Sequence, residues 1–223
     1  MRKGFFITFE GIEGCGKSTQ IRILQDRLTR EGVPVRVTRE PGDGEMGARI
    51  RELLLSVSSS LDPLTELFLL AADRTRHVTE IVRPALERGA VIISDRYTDS
   101  SMAYQGYGRG LPLDFIADIN RKATGGLHPD LTVILDLSPS ISIHRSRNRL
   151  RQQNMFEAEG RFENEGMSFH ERVRDGYRKI AAQEPARVRL IDGNLPIGAL
   201  ATSIRKLVCT EIDRWRRMAV PHD

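Results

Sequence analysis

Five short apolar runs punctuate the chain: Phe5–Glu10, Val33–Thr38, Ala90–Asp95, Leu131–Leu137 and Arg187–Asp192. Their lengths and β-branched content predict strands. The stretches between them carry helical spacing. Ile21, Leu24 and Leu28 share one side of a helix over Gln20–Arg30. Asp62-Pro63 reads as an N-cap followed by proline at the first helical position. The helix it opens should run to about Arg88, with Leu64, Leu67, Phe68, Ala71, Val78, Val82 and Ala85 on one side. Pro84 should kink that helix or mark its last turns. Ser138-Pro139 opens another helix in the same way. A final helix is expected over Pro196–Arg216, with Leu200, Ile204, Leu207 and Ile212 inward. Strands alternating with helices predict an α/β fold, a five-stranded parallel sheet covered by helices on both faces. Ligands of such sheets sit beyond the strands' carboxyl ends. Glu10, Thr38-Arg39, Asp95-Arg96 and Asp136 fall there.

Composition narrows the setting. The 223 residues are 39% hydrophobic and 29% charged, as in an ordinary globular protein. Neither repeats nor low-complexity linkers divide the chain, so a single domain over residues 1–223 is expected. The net charge of +4 suits an anionic substrate. Two cysteines, Cys15 and Cys209, make no disulfide framework and suggest a reducing cytoplasm. The opening "MRKGFFITF" breaks at Glu10, too early for a secretory core, and no run approaches the length of a membrane span.

The first candidate chemistry is "FEGIEGCGKST", in which Gly11, Gly16, Lys17 and Ser18 fit G-x-x-x-x-G-K-[ST]. A strand precedes it and a helix follows, the context this phosphate-binding motif requires. The glycines let backbone N–H groups approach anionic oxygens, and the helix adds its positive end. Lys17 supplies a mobile charge for the outer phosphates, and the Ser18 hydroxyl suits Mg²⁺. Arginines then gather at the same edge of the sheet: Arg39 in "TREPGDGEMG", Arg96 in "SDRYTDSSMAYQGYGRG", and several in "HRSRNRLRQQNMFEAEGRFENEG". Arginine binds phosphate through paired hydrogen bonds and is always charged. Bringing two phosphorylated molecules together needs that charge stabilisation. A GTPase switch would need Asn-Lys-x-Asp and Asp-x-x-Gly, and neither occurs. A nucleic-acid-binding ATPase finds its best support in Arg214-Trp215-Arg216-Arg217, which a basic helix end with Trp215 inward explains equally. A P-loop kinase for another monophosphate or nucleoside is the nearest rival.

The segments "TREPG", "ELFLLAADRTRHV", "SDRYTDSSMAYQG", "HPDLTVILDL", "GRFENEGMSFHERVRDGY" and "RLIDG", in this order, resemble the bacterial thymidylate kinases over nearly the whole chain. The resemblance implies a P-loop kinase fold and a homodimer. It implies Mg²⁺-dependent transfer of the ATP γ-phosphoryl group to dTMP, giving dTDP for dTTP synthesis, with no role for nucleic acid or membrane. It places ATP on Gly11, Ile12, Glu13, Gly14, Cys15, Gly16, Lys17, Ser18 and Thr19. It places dTMP on Arg39, Leu70, Arg74, Arg96, Ser101, Tyr104 and Gln105, with Pro41 shaping the turn that presents Arg39. Ser18 and Asp95 are the implied metal residues. Lys17, Arg39, Arg96 and Arg161 are the implied catalytic group.

The phosphate loop has Ile12 and Glu13 instead of an arginine, so the chain resembles the branch in which a lid arginine supplies that charge. The lid spans about 150–166 and is expected to move. Its candidates are Arg147, Arg149, Arg151 and, on the "RFE" pattern, Arg161. Three departures from the family pattern stand out. Leu70 replaces the aromatic that stacks on the base, with Phe68 expected on the core side. Gly160 replaces an aspartate before "RFE", and Asp43-Gly44 replaces Gly-Thr after "TREPG".

Overall fold

The computed structural model describes residues 4–219. Residues 1–3 and 220–223, at the ends of the expected single domain, lie outside the described residues. Strands β1 (Phe5–Glu10), β2 (Val35–Arg39), β3 (Val91–Asp95), β4 (Leu131–Asp136) and β5 (Val188–Asp192) form one sheet. All neighbours pair in parallel, in the order β2-β3-β1-β4-β5. Each strand lies within a residue or two of its expected bounds.

Alternation along the strands divides the core. Phe5, Ile7 and Phe9 face one side, with Ile93, Val133 and Leu135. Helices α1 (Lys17–Arg30) and α10 (Ile197–Ala219) cover them with Ile21, Leu24, Leu28, Leu200, Ile204, Val208 and Ile212. Val208 is fully buried and Leu207 only partly so, one position away from the expected face. Trp215 turns inward, its ring edge-on to Phe5 at 5.8 Å.

Phe6 and Ile92 face the other side. There the chain runs as α2 (Gly44–Leu55), α3 (Pro63–His77), a π turn (Val78–Val82) and α4 (Arg83–Glu87). Asp62 caps α3, accepting from Leu64 N and Thr65 N at 3.0 Å each. The π turn lies immediately before Pro84, which has no N–H for the helical ladder and whose ring crowds the preceding turn. Leu67, Val78, Val82 and Ala85 are buried as expected. Leu64 and Phe68 are instead 41% and 47% exposed. The inward face of α3 is rotated because α2 packs on one flank, with Leu69 and Leu70 against Leu54 and Leu55.

After β3 come a short helix α5 (Thr98–Ser101), a second π segment (Met102–Gly108) and α6 (Leu113–Thr124). After β4 come α7 (Pro139–Gln152), a short α8 (Phe156–Glu159) and α9 (Met167–Gln183). Phe169, Val173, Tyr177 and Ile180 of α9 pack on Ala103, Tyr104, Ile134 and Val188. Among the described residues no helix is long and apolar enough to cross a membrane.

The packing of α10 makes a direct expectation. Ile204→Ala removes a side chain that is 1% exposed, so it should lower unfolding free energy by about 2–5 kcal/mol in urea titrations. Leu207→Ala should cost clearly less. Equal losses would show that the helix presents a different face.

Candidate active site

The parallel order brings the carboxyl ends of all five strands to one edge, and a cavity of about 670 Å³ opens there. The phosphate loop follows β1. Gly16 caps α1 in a left-handed conformation, φ 103°. Gly14 has φ 75°, and a Cβ there would lie 2.0 Å from the Ser142 carbonyl oxygen of α7. Helix α7 is further tied to the loop by Ser142 Oγ, which donates to the Glu13 carbonyl. Lys17 Nζ donates to Gly11 O at 2.9 Å and Ile12 O at 3.2 Å. Glu13 to Thr19 line the cavity. Gly11 and Ile12 stand behind it, serving through their carbonyls.

Ser18 Oγ donates to Asp95 Oδ2 at 3.3 Å. Asp95 Oδ1 is buried without a hydrogen-bond partner. A hydroxyl and an underused carboxylate at the foot of the loop fit a divalent cation that takes its remaining ligands from phosphate and water. Among the described residues no three His, Cys, Asp or Glu side chains form a metal cluster.

Arg39 ends β2, exposed, on the cavity wall. The turn after it is anchored from three sides. Glu40 N donates to Asp95 O at 2.9 Å, Gly42 N to Asp73 Oδ2 at 3.3 Å, and Arg51 Nη1 to Pro41 O at 3.0 Å. Arg51 also pairs with Glu159 of α8 at 3.0 and 3.2 Å, joining this turn to the lid. Asp43, at the family's Gly-Thr position, accepts from Thr38 Oγ1.

Arg74 is buried and almost saturated. Its Nε donates to Glu40 at 2.7 Å, Nη1 to Ser101 Oγ at 3.0 Å and Asn120 Oδ1 at 2.5 Å, and Nη2 to Tyr97 O at 3.1 Å. Of five N–H groups, one Nη2 proton remains for the cavity. His77 Nδ1 lies 2.6 Å from Glu40 Oε1. Burial pushes the Glu40 carboxyl up, but Arg74 and His77 outweigh it and hold it below its ordinary range. Nearby Asp73 is pushed up to about 6 by burial and by Glu40.

Arg96 has φ 73°, a strained value for arginine. Its Nη2 donates to Glu13 Oε1 at 2.7 Å and Tyr104 Oη at 3.0 Å. Tyr104 Oη in turn donates to Glu13 Oε1 at 2.6 Å. Burial would raise Glu13, yet Arg96 and Lys17 hold its carboxyl below the usual range. Arg39, Leu70, Arg74, Arg96 and Tyr104 all border the cavity. Ser101 and Gln105 stand one layer behind it: Ser101 accepts from Arg74, and Gln105 Nε2 donates to Glu66 Oε1 at 2.6 Å.

The lid departs most from expectation. Arg161 does not face the cavity. It is buried, donating to Leu54 O and, at 2.6 Å, to Glu66 Oε2. The physical reason is Glu66, a carboxylate with no exposure that draws Arg161, Arg109 and Gln105 around itself. Arg145 and Arg149 of α7 line the cavity instead. Glu163 lies beside them and accepts from Ser146 Oγ at 2.6 Å. Burial and Glu13 push its carboxyl up. Phe162 also reaches the cavity wall, packing like Leu70 against the Ile50, Leu54 and Leu55 cluster and edge-on to Tyr104 at 5.3 Å. The lid's Phe162 shares the cavity wall with Leu70, and Phe68 does not reach it. Asn194 to Ile197, just past β5, close the far end of the cavity. The strand-end rule applied to Asp192 points to that turn; Arg51 carries no sequence signal.

The model of the family described as thymidylate kinase matches residues 9–204. A thymidylate kinase from Desulfovibrio desulfuricans is 53% identical over 192 residues, covering 86% of this chain and 88% of the relative. One from Geobacter sulfurreducens is 46% identical over 214 residues, covering 95% and 99%. The crystal structure of thymidylate kinase from Ehrlichia chaffeensis superposes with a TM-score of 0.74 at 31% identity, covering 92% of this chain and 98% of that one. With a phosphate loop, a second anchored arginine turn and a lid set around one cavity, the chain belongs to the thymidylate kinase family.

Proposed function

We propose that this chain transfers the γ-phosphoryl group of ATP to dTMP, yielding dTDP. The single observation that carries the reading is one cavity lined together by Arg39, Arg96 and Lys17, which follow the neighbouring strands β2, β3 and β1. The donor triphosphate lies on the loop from Glu13 to Thr19, with adenine toward Asn194–Ile197. The acceptor phosphate lies on Arg39. Its base lies against Leu70 and Phe162, within reach of the remaining Arg74 proton. Ser18 and Asp95 would hold a magnesium ion, which would supply charge neutralisation for the donor phosphates. Arg96 lies between donor and acceptor phosphates and aligns them. Arg149 takes the role that the "RFE" pattern suggests for Arg161, because Arg149 lines the cavity and Arg161 is committed to Glu66. The lid residues Glu159 and Phe162 reach the acceptor end and exclude water there.

Exposed Leu64 and Phe68 on α3 and Phe115 on the adjacent α6 support a homodimer joined through these helices. A cytoplasmic location agrees with the free thiols of Cys15 and Cys209.

Three expectations follow from this arrangement. Coupled assays should show Mg²⁺-dependent ATP turnover only when dTMP is present; equal ATP consumption without any monophosphate would overturn the reading. Lys17→Ala should abolish turnover and leave the circular dichroism spectrum unchanged, since its side chain contacts only the loop. Arg149→Ala should lower kcat about a hundredfold, or ~3 kcal/mol, with little change in KM. Arg161→Ala should instead lower unfolding free energy by about 1.5–3 kcal/mol, because it removes the shorter of the two ion pairs of buried Glu66. If Arg161→Ala keeps its stability and loses kcat, the two roles are reversed.

A further inference from the structure

Behind Arg96, outside the cavity, lies a carboxylate that the reaction as described does not use. Glu10 ends β1 with no exposed surface. Its Oε1 accepts the Tyr97 backbone N–H at 2.8 Å. Its Oε2 accepts from Ser100 Oγ at 2.6 Å and Tyr177 Oη at 2.8 Å. Those same two hydroxyls lie 3.2 and 3.3 Å from Arg96 Nη1. A hydroxyl has one proton. With both protons committed to Glu10, both oxygens present lone pairs to the two protons of Nη1. The ionised carboxylate therefore dictates the orientation of the seat on which the guanidinium rests.

The backbone supports the same purpose. Arg96 adopts its left-handed conformation at the end of β3. Three contacts hold that turn: Arg96 N donates to Phe9 O at 3.0 Å, Ser94 Oγ to Arg96 O at 2.7 Å, and Tyr97 N to Glu10. Strain of this kind persists only where the surroundings enforce it. One carboxylate thus fixes both the turn and the side chain of Arg96, while Glu13 and Tyr104 meet its other edge inside the cavity.

We propose that Glu10 is a positioning residue for phosphoryl transfer, holding the Arg96 guanidinium in its working place through the Ser100 and Tyr177 hydroxyls. The inference rests on the reading that Arg96 aligns donor and acceptor phosphates. It adds that the alignment depends on a charge one layer behind. The groups facing Glu10 are Arg96 on the turn, Asp99 and Ser100 on α5, and Tyr177 on α9. Burial first, and then Asp99, push the Glu10 carboxyl up to about 7, against Arg96 and the two hydroxyls, which lower it. Glu10 thus takes up its proton as pH falls through that value. It then loses its charge and one of the two hydroxyls loses its acceptor, so the seat fails on the acid side.

The test is steady-state kinetics of full-length protein across pH 5.5–9, with ATP and dTMP varied separately. Glu10→Gln keeps the shape and an amide oxygen for Tyr97 N but presents donors to the hydroxyls. It should lower kcat by about tenfold or more, as a displaced alignment group does, with the ATP KM within about twofold. The wild-type kcat should fall below pH about 7, and that limb should be absent in Glu10→Gln. Ser100→Ala/Tyr177→Phe reaches the same contact from the other side and should lower kcat comparably. Adding Glu10→Gln to it should bring little further loss, as for groups acting as one unit. An unchanged kcat in either variant, full additivity of their effects, or an acid limb retained in Glu10→Gln would overturn the proposal. If Glu10→Gln does not fold, the hydroxyl double variant decides alone: a tenfold loss supports the seat and wild-type kcat removes it. Arg96→Lys separates the two levels. Normal kcat there would mean that the reading of Arg96 fails. Lost activity there with normal Glu10→Gln would mean that only the positioning inference fails.

Discussion

Like charges repel, and two phosphorylated nucleotides brought end to end concentrate several of them in a few ångströms. The molecule is arranged around that constraint. A parallel sheet delivers every carboxyl end to one edge, so the phosphate loop after β1, Arg39 after β2 and Arg96 after β3 arrive together without any long loop to hold them. Helix α7 after β4 adds Arg145 and Arg149 from above. Cations gathered this closely need partners of their own. Glu13 sits on Arg96, Glu159 on Arg51, and Glu163 lies beside Arg149. Each acidic group holds a guanidinium at the cavity wall before any anion arrives, an arrangement that keeps reorganisation on binding small.

The buried charges behind the cavity follow a different logic. Arg74, Glu40 and His77 form one network and Arg161, Arg109 and Glu66 another, both nearly without solvent. Removing charges from water is costly, and pairing them at best recovers that cost. Their value is geometric. Glu66 ties the 160–166 segment to α3, and Glu40 ties the turn after β2 to the same helix, so two walls of the cavity share one support.

Much of this was legible in the chain. The five strands, the phosphate loop and the arginines at strand ends follow from apolar runs and local spacing, which neighbouring residues determine. Strand order was not legible, since it depends on which side each crossover takes. Helices α2, α6 and α9 were not delimited, and the inward face of α3 was misplaced at Leu64 and Phe68 because neighbouring helices, not the sheet alone, select it. The buried position of Arg161 in this structure was illegible for a similar reason. Its partner Glu66 lies 95 residues away, and neither residue alone signals burial. The "RFE" pattern implies a catalytic role for Arg161, whereas in this structure its guanidinium lies on the Glu66 carboxylate. Phe162, its neighbour in that pattern, shares the cavity wall with Leu70.

The contact between Gly14 and α7 couples two parts of the cavity wall. Any side chain at position 14 would run into the Ser142 carbonyl at 2.0 Å, on a backbone at φ 75° that already disfavours one. A residue larger than glycine there would have to push α7 away from the loop, and with α7 would go Arg145 and Arg149, which line the same cavity. The anion-binding loop and the cationic helix are therefore one mechanical unit: neither can be reshaped at this point without moving the other.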